Sequence, residues 1–208
     1  MNREPAWLTV ARELQAIAQT GLAFSKDPFD LQRFQRTREL AAQLMAQGSG
    51  ASAERILDLF ERDVGYTTPK VDVRGAAFID GQILLVQEAS DGCWTLPGGW
   101  ADVNQTAAEC VVREITEESG FQARATKLVA VSDYRKSGHP PRRVDSIYKM
   151  TFLCEITGGE PRTSEETTGV AFFSRNNLPS LSLGRTTEAQ IDRAFRHHQC
   201  IDLPTEFD

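Results

Sequence analysis

The stretch Gly98–Phe121, GGWADVNQTAAECVVREITEESGF, decides how the chain is read. Within it, Arg113-Glu114-Ile115-Thr116-Glu117-Glu118-Ser119-Gly120-Phe121 sets three acids at helical spacing and closes on a glycine. At about 100° per residue, Glu114, Glu117 and Glu118 share one helical face, while Ala108, Val111, Val112 and Ile115 share another. The helix therefore has an apolar side to bury and an acidic side to show. Taken alone, E-x-x-E-E is a solvated acidic face. Carboxylates this close repel one another, and a hard divalent cation relieves that repulsion. Mg²⁺ suits the site because it takes oxygen ligands, keeps several waters and bridges protein carboxylates to substrate phosphates.

Just upstream, Trp94-Thr95-Leu96-Pro97-Gly98-Gly99 leads into the helix. Pro97 restricts Leu96 to an extended conformation, and the paired glycines make either a tight turn or a close backbone approach to a ligand. Further back, Val71-Asp72-Val73-Arg74 alternates like a strand, Asp80-Gly81 is a hairpin turn, and Ile83 to Val86 reads as a buried strand. Downstream, Leu128–Val131, Ile147–Ile156 and Val170–Phe173 read as strands, and Thr186-Thr187-Glu188 opens a helix with Ile191, Ala194 and Phe195 inward. The polar segment between the first two of these strands carries Arg135, Lys136, His139, Arg142 and Arg143. Arginine forks suit phosphate, although any one of these residues also fits a solvated loop.

The chain before Thr67 reads as three helices. The first carries Trp7, Leu8, Val10, Ala11, Leu14, Ile17 and Ala18 and is interrupted at Gly21. The second starts at Asp27-Pro28, an N-cap followed by a first-turn proline, and runs into Gly48-Ser49-Gly50. The third starts near Ser52, turns Ile56, Leu57, Leu59 and Phe60 inward and ends at Gly65. Residues 1–66 thus form a small helical domain whose core leans on a neighbour. A DNA reader would be basic, whereas these residues hold eight Lys or Arg against nine Asp or Glu, a net of −1. A dimerisation or lid module fits better.

The whole chain, 208 residues with a formal charge of −6, is long enough for a real core and too acidic for general nucleic-acid affinity. No apolar run reaches the length of a membrane span, and the first residues lack the apolar core of a signal peptide. Cys93, Cys110, Cys154 and Cys200 are scattered, which predicts reduced thiols in a cytoplasmic protein.

From Gly99 to Phe121 the chain resembles the Nudix hydrolases. Their signature is G-x5-E-x7-R-E-U-x-E-E-x-G-U, with U a bulky apolar residue, and only Gln105 departs from it, standing where the signature has Glu. The segments Gly65–Arg74, Leu96–Asp102 and Leu181–Arg185 extend the resemblance to a subgroup with a helical N-terminal domain, described as ADP-ribose or CDP-choline pyrophosphatases.

The resemblance implies a Nudix α/β/α sandwich with a mixed sheet over residues 67–208. It implies a homodimer and a Mg²⁺ or Mn²⁺ site formed by the Gly99 carbonyl, Glu114, Glu117 and Glu118, while the charge and the short apolar runs predict no nucleic-acid or membrane partner. Glu114 and Glu117 are also candidate catalytic groups. An acid in the loop before the strand at Val170 is the competing base, either Glu165 or Glu166, with Glu166 preferred. Arg74, Arg135, His139 and Arg142 are the candidate substrate contacts. Arg113 is expected to tie the loop to the helix through Gln105, more weakly than through a carboxylate. The implied reaction is hydrolysis of the diphosphate in a nucleoside diphosphate linked to a moiety X. A nucleotide sensor that binds without cleaving is the alternative from another class.

Overall fold

The computed structural model describes residues 5–140 and 145–208. Three helices come first: α1 (Ala6–Phe24), α2 (Pro28–Ser49) and α3 (Ala53–Glu61). There follow β1 (Lys70–Ile79), β2 (Gln82–Glu88), β3 (Trp94–Thr95), α4 (Ala107–Ser119), β4 (Phe121–Asp133), β5 (Ile147–Gly159), β6 (Thr167–Phe173), α5 (Glu188–Gln199) and β7 (Glu206–Phe207). The chain divides into two compact units, one built on the helices before Pro69 and the other on Lys70–Pro140 and Ile147–Asp208.

In the helical unit, Leu8, Ala11, Ala41, Ala42, Met45, Ile56 and Phe60 make the core. Asp27 caps α2 by accepting from the Phe29 and Asp30 N–H groups, and Ser52 caps α3 through the Arg55 N–H. Three sequence expectations are corrected here. Helix α1 does not stop at Gly21 but runs to Phe24, because the missing side chain admits the Phe34 ring, which a β-carbon would meet at 2.4 Å. Helix α3 ends at Glu61, before Gly65. Leu59 is exposed rather than inward, and Val10 and Ile17, which recur at helical spacing on α1, are exposed as well.

The second unit is an α/β/α sandwich around a mixed sheet in the order β3-β2-β1-β5-β4-β7, with β6 also paired to β2. The β1·β5 and β4·β7 pairs are parallel and the others antiparallel. The β1–β2 hairpin turns on Asp80 (φ 50°) and Gly81 (φ 72°), the two left-handed positions that an Asp-Gly turn supplies.

Alternation along β1 gives the sheet its two faces. Val73 and Ala77 pack with Val111 and Ile115 of α4, and Ala76 packs on the other face with Ile191, Ala194 and Phe195 of α5. Each fully buried valine or isoleucine among these stabilises the fold by about 1.5–3 kcal/mol, and each alanine by less. Gly75 lets α4 come close, since a β-carbon there would stand 2.6 Å from Ile115 Cδ1. Among the described residues no helix is long and apolar enough to cross a membrane.

Candidate active site

Helix α4 starts in a capping box, with Thr106 Oγ1 accepting from the Glu109 N–H and Glu109 Oε2 accepting from the Thr106 N–H. It stops at Gly120, which takes the left-handed conformation at φ 78°. The segment before it pairs with β1: Gly75 N–H donates to the Pro97 carbonyl, Val73 N–H to Gly99, and Ala101 N–H to the Val71 carbonyl. One lone pair of the Gly99 carbonyl, the expected metal ligand, is therefore engaged at 2.8 Å by Val73. A carbonyl oxygen keeps a second lone pair.

Gly98 breaks that alternation and aims its N–H at Glu118 Oε2, 2.9 Å away. Its φ of 142° suits glycine alone, and a β-carbon would stand 2.0 Å from the Val73 carbonyl. Gly98→Ala is thus expected to cost about 1–3 kcal/mol or more in stability, measured by urea denaturation. It should also lower kcat/KM about tenfold or more, because the Glu118 anchor moves.

The acidic face is not uniformly solvated as the periodicity suggested. Glu118 is only 6% exposed, whereas 58% of the Glu117 side chain meets solvent. Burial pushes the Glu118 carboxyl up to about 8, against the pull of Arg74 and the Gly98 N–H and with added repulsion from Glu114 and Glu88. Glu114 is raised by burial, opposed by Arg113 and helped by Glu117. Glu88, at the end of β2, is raised by burial, opposed by Arg185 and Arg74 and helped by Asp91 and Glu166.

These groups fit a hard divalent cation by their chemistry. Their donors are oxygen, and the charged carboxylates are disfavoured until a cation joins them. Among the described residues, no three His, Cys, Asp or Glu side chains are already gathered at metal-holding distance. Glu114 and Glu117 instead face Arg113, at 2.9 and 2.7 Å. Glu114 also lies against the Gly99 backbone, where a β-carbon would come within 3.2 Å of its Oε2.

The other expected residues divide. Glu166 is exposed in the loop before β6; its carbonyl accepts from Ala89 N–H, which sets it beside Glu88. The same loop is fixed to α4 by Thr167 Oγ1, which donates to the Glu118 carbonyl at 2.8 Å. Glu165 is exposed next to it. Arg74 lies beneath the acids and is 5% exposed. Its Nε and Nη2 each donate to Asp72 at 2.9 Å, and Nη1 donates to the Leu96 carbonyl at 3.1 Å. Burial would lower its pKa, but Asp72, Glu118 and Glu88 raise it, so it stays a buried cation. Arg135 is paired to Asp133 at 2.6 Å at the surface. Arg142 lies outside the described residues.

His139 is buried and stacked on Tyr134, with ring centroids 4.3 Å apart. Its Nδ1 is 2.7 Å from the Leu183 carbonyl, to which it donates as the neutral tautomer. Burial lowers its pKa to about 4, further depressed by Lys149 and Arg74 and opposed by the Leu183 bond and Asp72. An unfolded imidazole takes up its proton near 6.5, so the neutral ring's contribution is complete above that pH and is lost as pH falls toward 4. Stability between pH 6.5 and 4 should therefore fall more steeply in the wild type than in His139→Asn, measured by urea titration at each pH.

Sequence reasoning missed Asp72, Lys149, Asp102, Glu88 and Arg185. Lys149 is buried and donates to Asp72 Oδ1 at 2.7 Å, so one carboxylate serves two buried cations. Arg185 holds Glu88 at 2.9 Å and meets Ser182 Oγ at 3.1 Å. The available signals were charged residues ending or alternating within apolar strands, ILLVQE for Glu88 and VDVR for Asp72.

Residues 69–195 match the family described as the NUDIX domain, and residues 5–60 match one described as a UDP-X-like, N-terminal oligomerisation domain. A Bacillus subtilis protein named "Putative ADP-ribose pyrophosphatase YjhB" is 44% identical over 97% of both chains. A crystal structure of a UDP-X diphosphatase is 31% identical with a TM-score of 0.64, covering 97% of this chain and 98% of that one. The crystal structure of an ADP-ribose pyrophosphatase from Streptococcus suis is 40% identical with a TM-score of 0.63, covering 68% of this chain and 100% of that one.

Proposed function

The chain belongs to the Nudix family of hydrolases, and from that premise we propose that it is a Mg²⁺- or Mn²⁺-dependent pyrophosphohydrolase of a nucleoside diphosphate linked to X. The products are a nucleoside monophosphate and a phosphorylated X. The observation that carries this reading is Glu118, a carboxyl buried against the Gly98 N–H and beside other acids, which gains its full charge when a cation joins it. Glu114, Glu117 and Glu118 would hold the cation, with the Gly99 carbonyl as a further oxygen. A bound divalent cation supplies charge neutralisation at the phosphates and a water of lowered pKa.

The chain's own groups do the rest. Gly98 N–H and buried Arg74 fix Glu118, and Arg113 holds the helix acids to the preceding loop. Glu166, or Glu114 and Glu117 on the helix, takes the proton from the attacking water. Arg135 and Arg142 are proposed to meet the nucleotide; Arg74 contributes from beneath through its charge, and buried His139 by bracing Tyr134 and the Leu183 carbonyl.

The relatives' names favour ADP-ribose or a uridine diphosphate derivative, and CDP-choline is the further substrate class. The test is phosphatase-coupled phosphate release from ADP-ribose, CDP-choline and a UDP-sugar with Mg²⁺. Turnover of one or more is expected; tight binding of all or any without turnover supports a sensor instead.

Residues 1–66 are proposed as a dimerisation module, or a lid over the substrate, for a homodimer in the cytoplasm. Val10, Ile17 and Phe24 are exposed at seven-residue spacing on α1, a stripe suited to helix pairing. Ile17→Glu should shift the sedimentation coefficient from dimer to monomer at micromolar concentration. An unchanged dimer would place the interface elsewhere.

A further inference from the structure

Among the described residues, Arg113 reaches four acceptors. Its Nη2 stands 2.7 Å from Asp102 Oδ2 and 2.9 Å from Glu114 Oε1, its Nη1 donates to Glu117 Oε2 at 2.7 Å, and its Nε donates to Gln105 Oε1 at 3.4 Å. A short charge-assisted bond is about twice as strong as a neutral one, and 3.4 Å lies at the long limit. The loop is therefore held to Arg113 by Asp102, three residues before the position at which the family signature places its acid. Asp102 is itself fixed to α4, because its N–H donates to Cys110 Sγ at 3.3 Å. Gln105 Oε1 meanwhile accepts from the Cys110 thiol at 3.5 Å.

We propose that Asp102 is a positioning residue for the acidic site, supplying the loop carboxylate that Gln105 lacks and drawing the Arg113 charge toward the loop. Without it, the guanidinium would be neutralised by Glu114 and Glu117 alone. Those are the acids proposed above to hold the cation, and the inference rests on that reading. A divalent cation would then have to displace a tighter ion pair. Asp102 does not touch the reacting atoms; it sets how strongly Arg113 competes for the helix acids.

The test compares wild type, Asp102→Asn and Asp102→Asn/Gln105→Glu. Asp102 is largely exposed, so all three should fold, and their cation-free melting temperatures should agree closely. Calorimetric titration with Mg²⁺ alone, without substrate, should show affinity about tenfold weaker in Asp102→Asn. The second variant should recover to within about threefold of wild type, because Gln105 Oε1 already faces Arg113. Unchanged Mg²⁺ affinity in Asp102→Asn, or a loss that Gln105→Glu does not recover, would overturn the inference. A wild type that binds Mg²⁺ but turns over no nucleoside diphosphate derivative would sink the hydrolase reading and leave this comparison still decisive.

Discussion

Glu118→Gln is expected to lower kcat/KM by about a hundredfold or more, on the order of 3 kcal/mol of barrier. Glutamine has the same shape and still accepts the Gly98 N–H, so the loop stays in place. What it lacks is the negative charge. Burial, opposed by Arg74 and the Gly98 N–H, already pushes the wild-type carboxyl up to about 8, which favours its neutral form in the cation-free protein. The variant resembles that neutral form. Its melting temperature without cation should equal or exceed that of wild type, while the rise on adding Mg²⁺ should be much smaller. Lost activity with an intact fold separates a charge needed for the reaction from a residue needed for packing. Wild-type turnover in excess Mg²⁺ would remove Glu118 from the site.

The second large effect lies beneath the acids. Asp72→Ala leaves Arg74 and Lys149 buried without their shared carboxylate, and breaking a buried pair in this way costs about 3–5 kcal/mol. Burial alone would raise the Asp72 carboxyl, but Arg74 and Lys149 outweigh it and hold it at about 2. Its folded pKa is thus below its unfolded value of 3.8, so its contribution is present above that pH and is lost as pH falls toward 2. Urea denaturation at neutral pH should show the loss in Asp72→Ala. Adding Lys149→Met should recover part of it by removing one of the two buried cations that Asp72 faced. If Asp72→Ala matched wild type, the buried cations would have to be neutralised by other groups.

The fold was largely legible because its signals are local. The Asp-Gly turn, the helix starts at Asp27 and Ser52, and the inward trio Ile191, Ala194 and Phe195 each act within a few residues. Gly21 misled because a glycine inside a helix reads as a break until Phe34, thirteen positions on, is seen packed against it. The acidic helix was legible by spacing, but the unequal burial of Glu117 and Glu118 depends on Gly98, whose N–H reaches Glu118 across twenty positions. Arg74 looked like a phosphate contact in a strand pattern. Only the register that sets Asp72 beside Lys149 of β5 reveals a buried charge cluster. Asp102 was invisible as a partner of Arg113 for a similar reason, since the bond depends on how the loop folds back on α4.

The most direct measurement follows the products of ADP-ribose by mass spectrometry for wild type and Glu118→Gln, each with Mg²⁺ and with chelator. Wild type should yield AMP and a phosphorylated ribose with Mg²⁺ only, and the variant about a hundredfold less. Cleavage by wild type that persists in chelator, or equal cleavage by both proteins with Mg²⁺, would contradict a Mg²⁺-dependent reaction that needs Glu118.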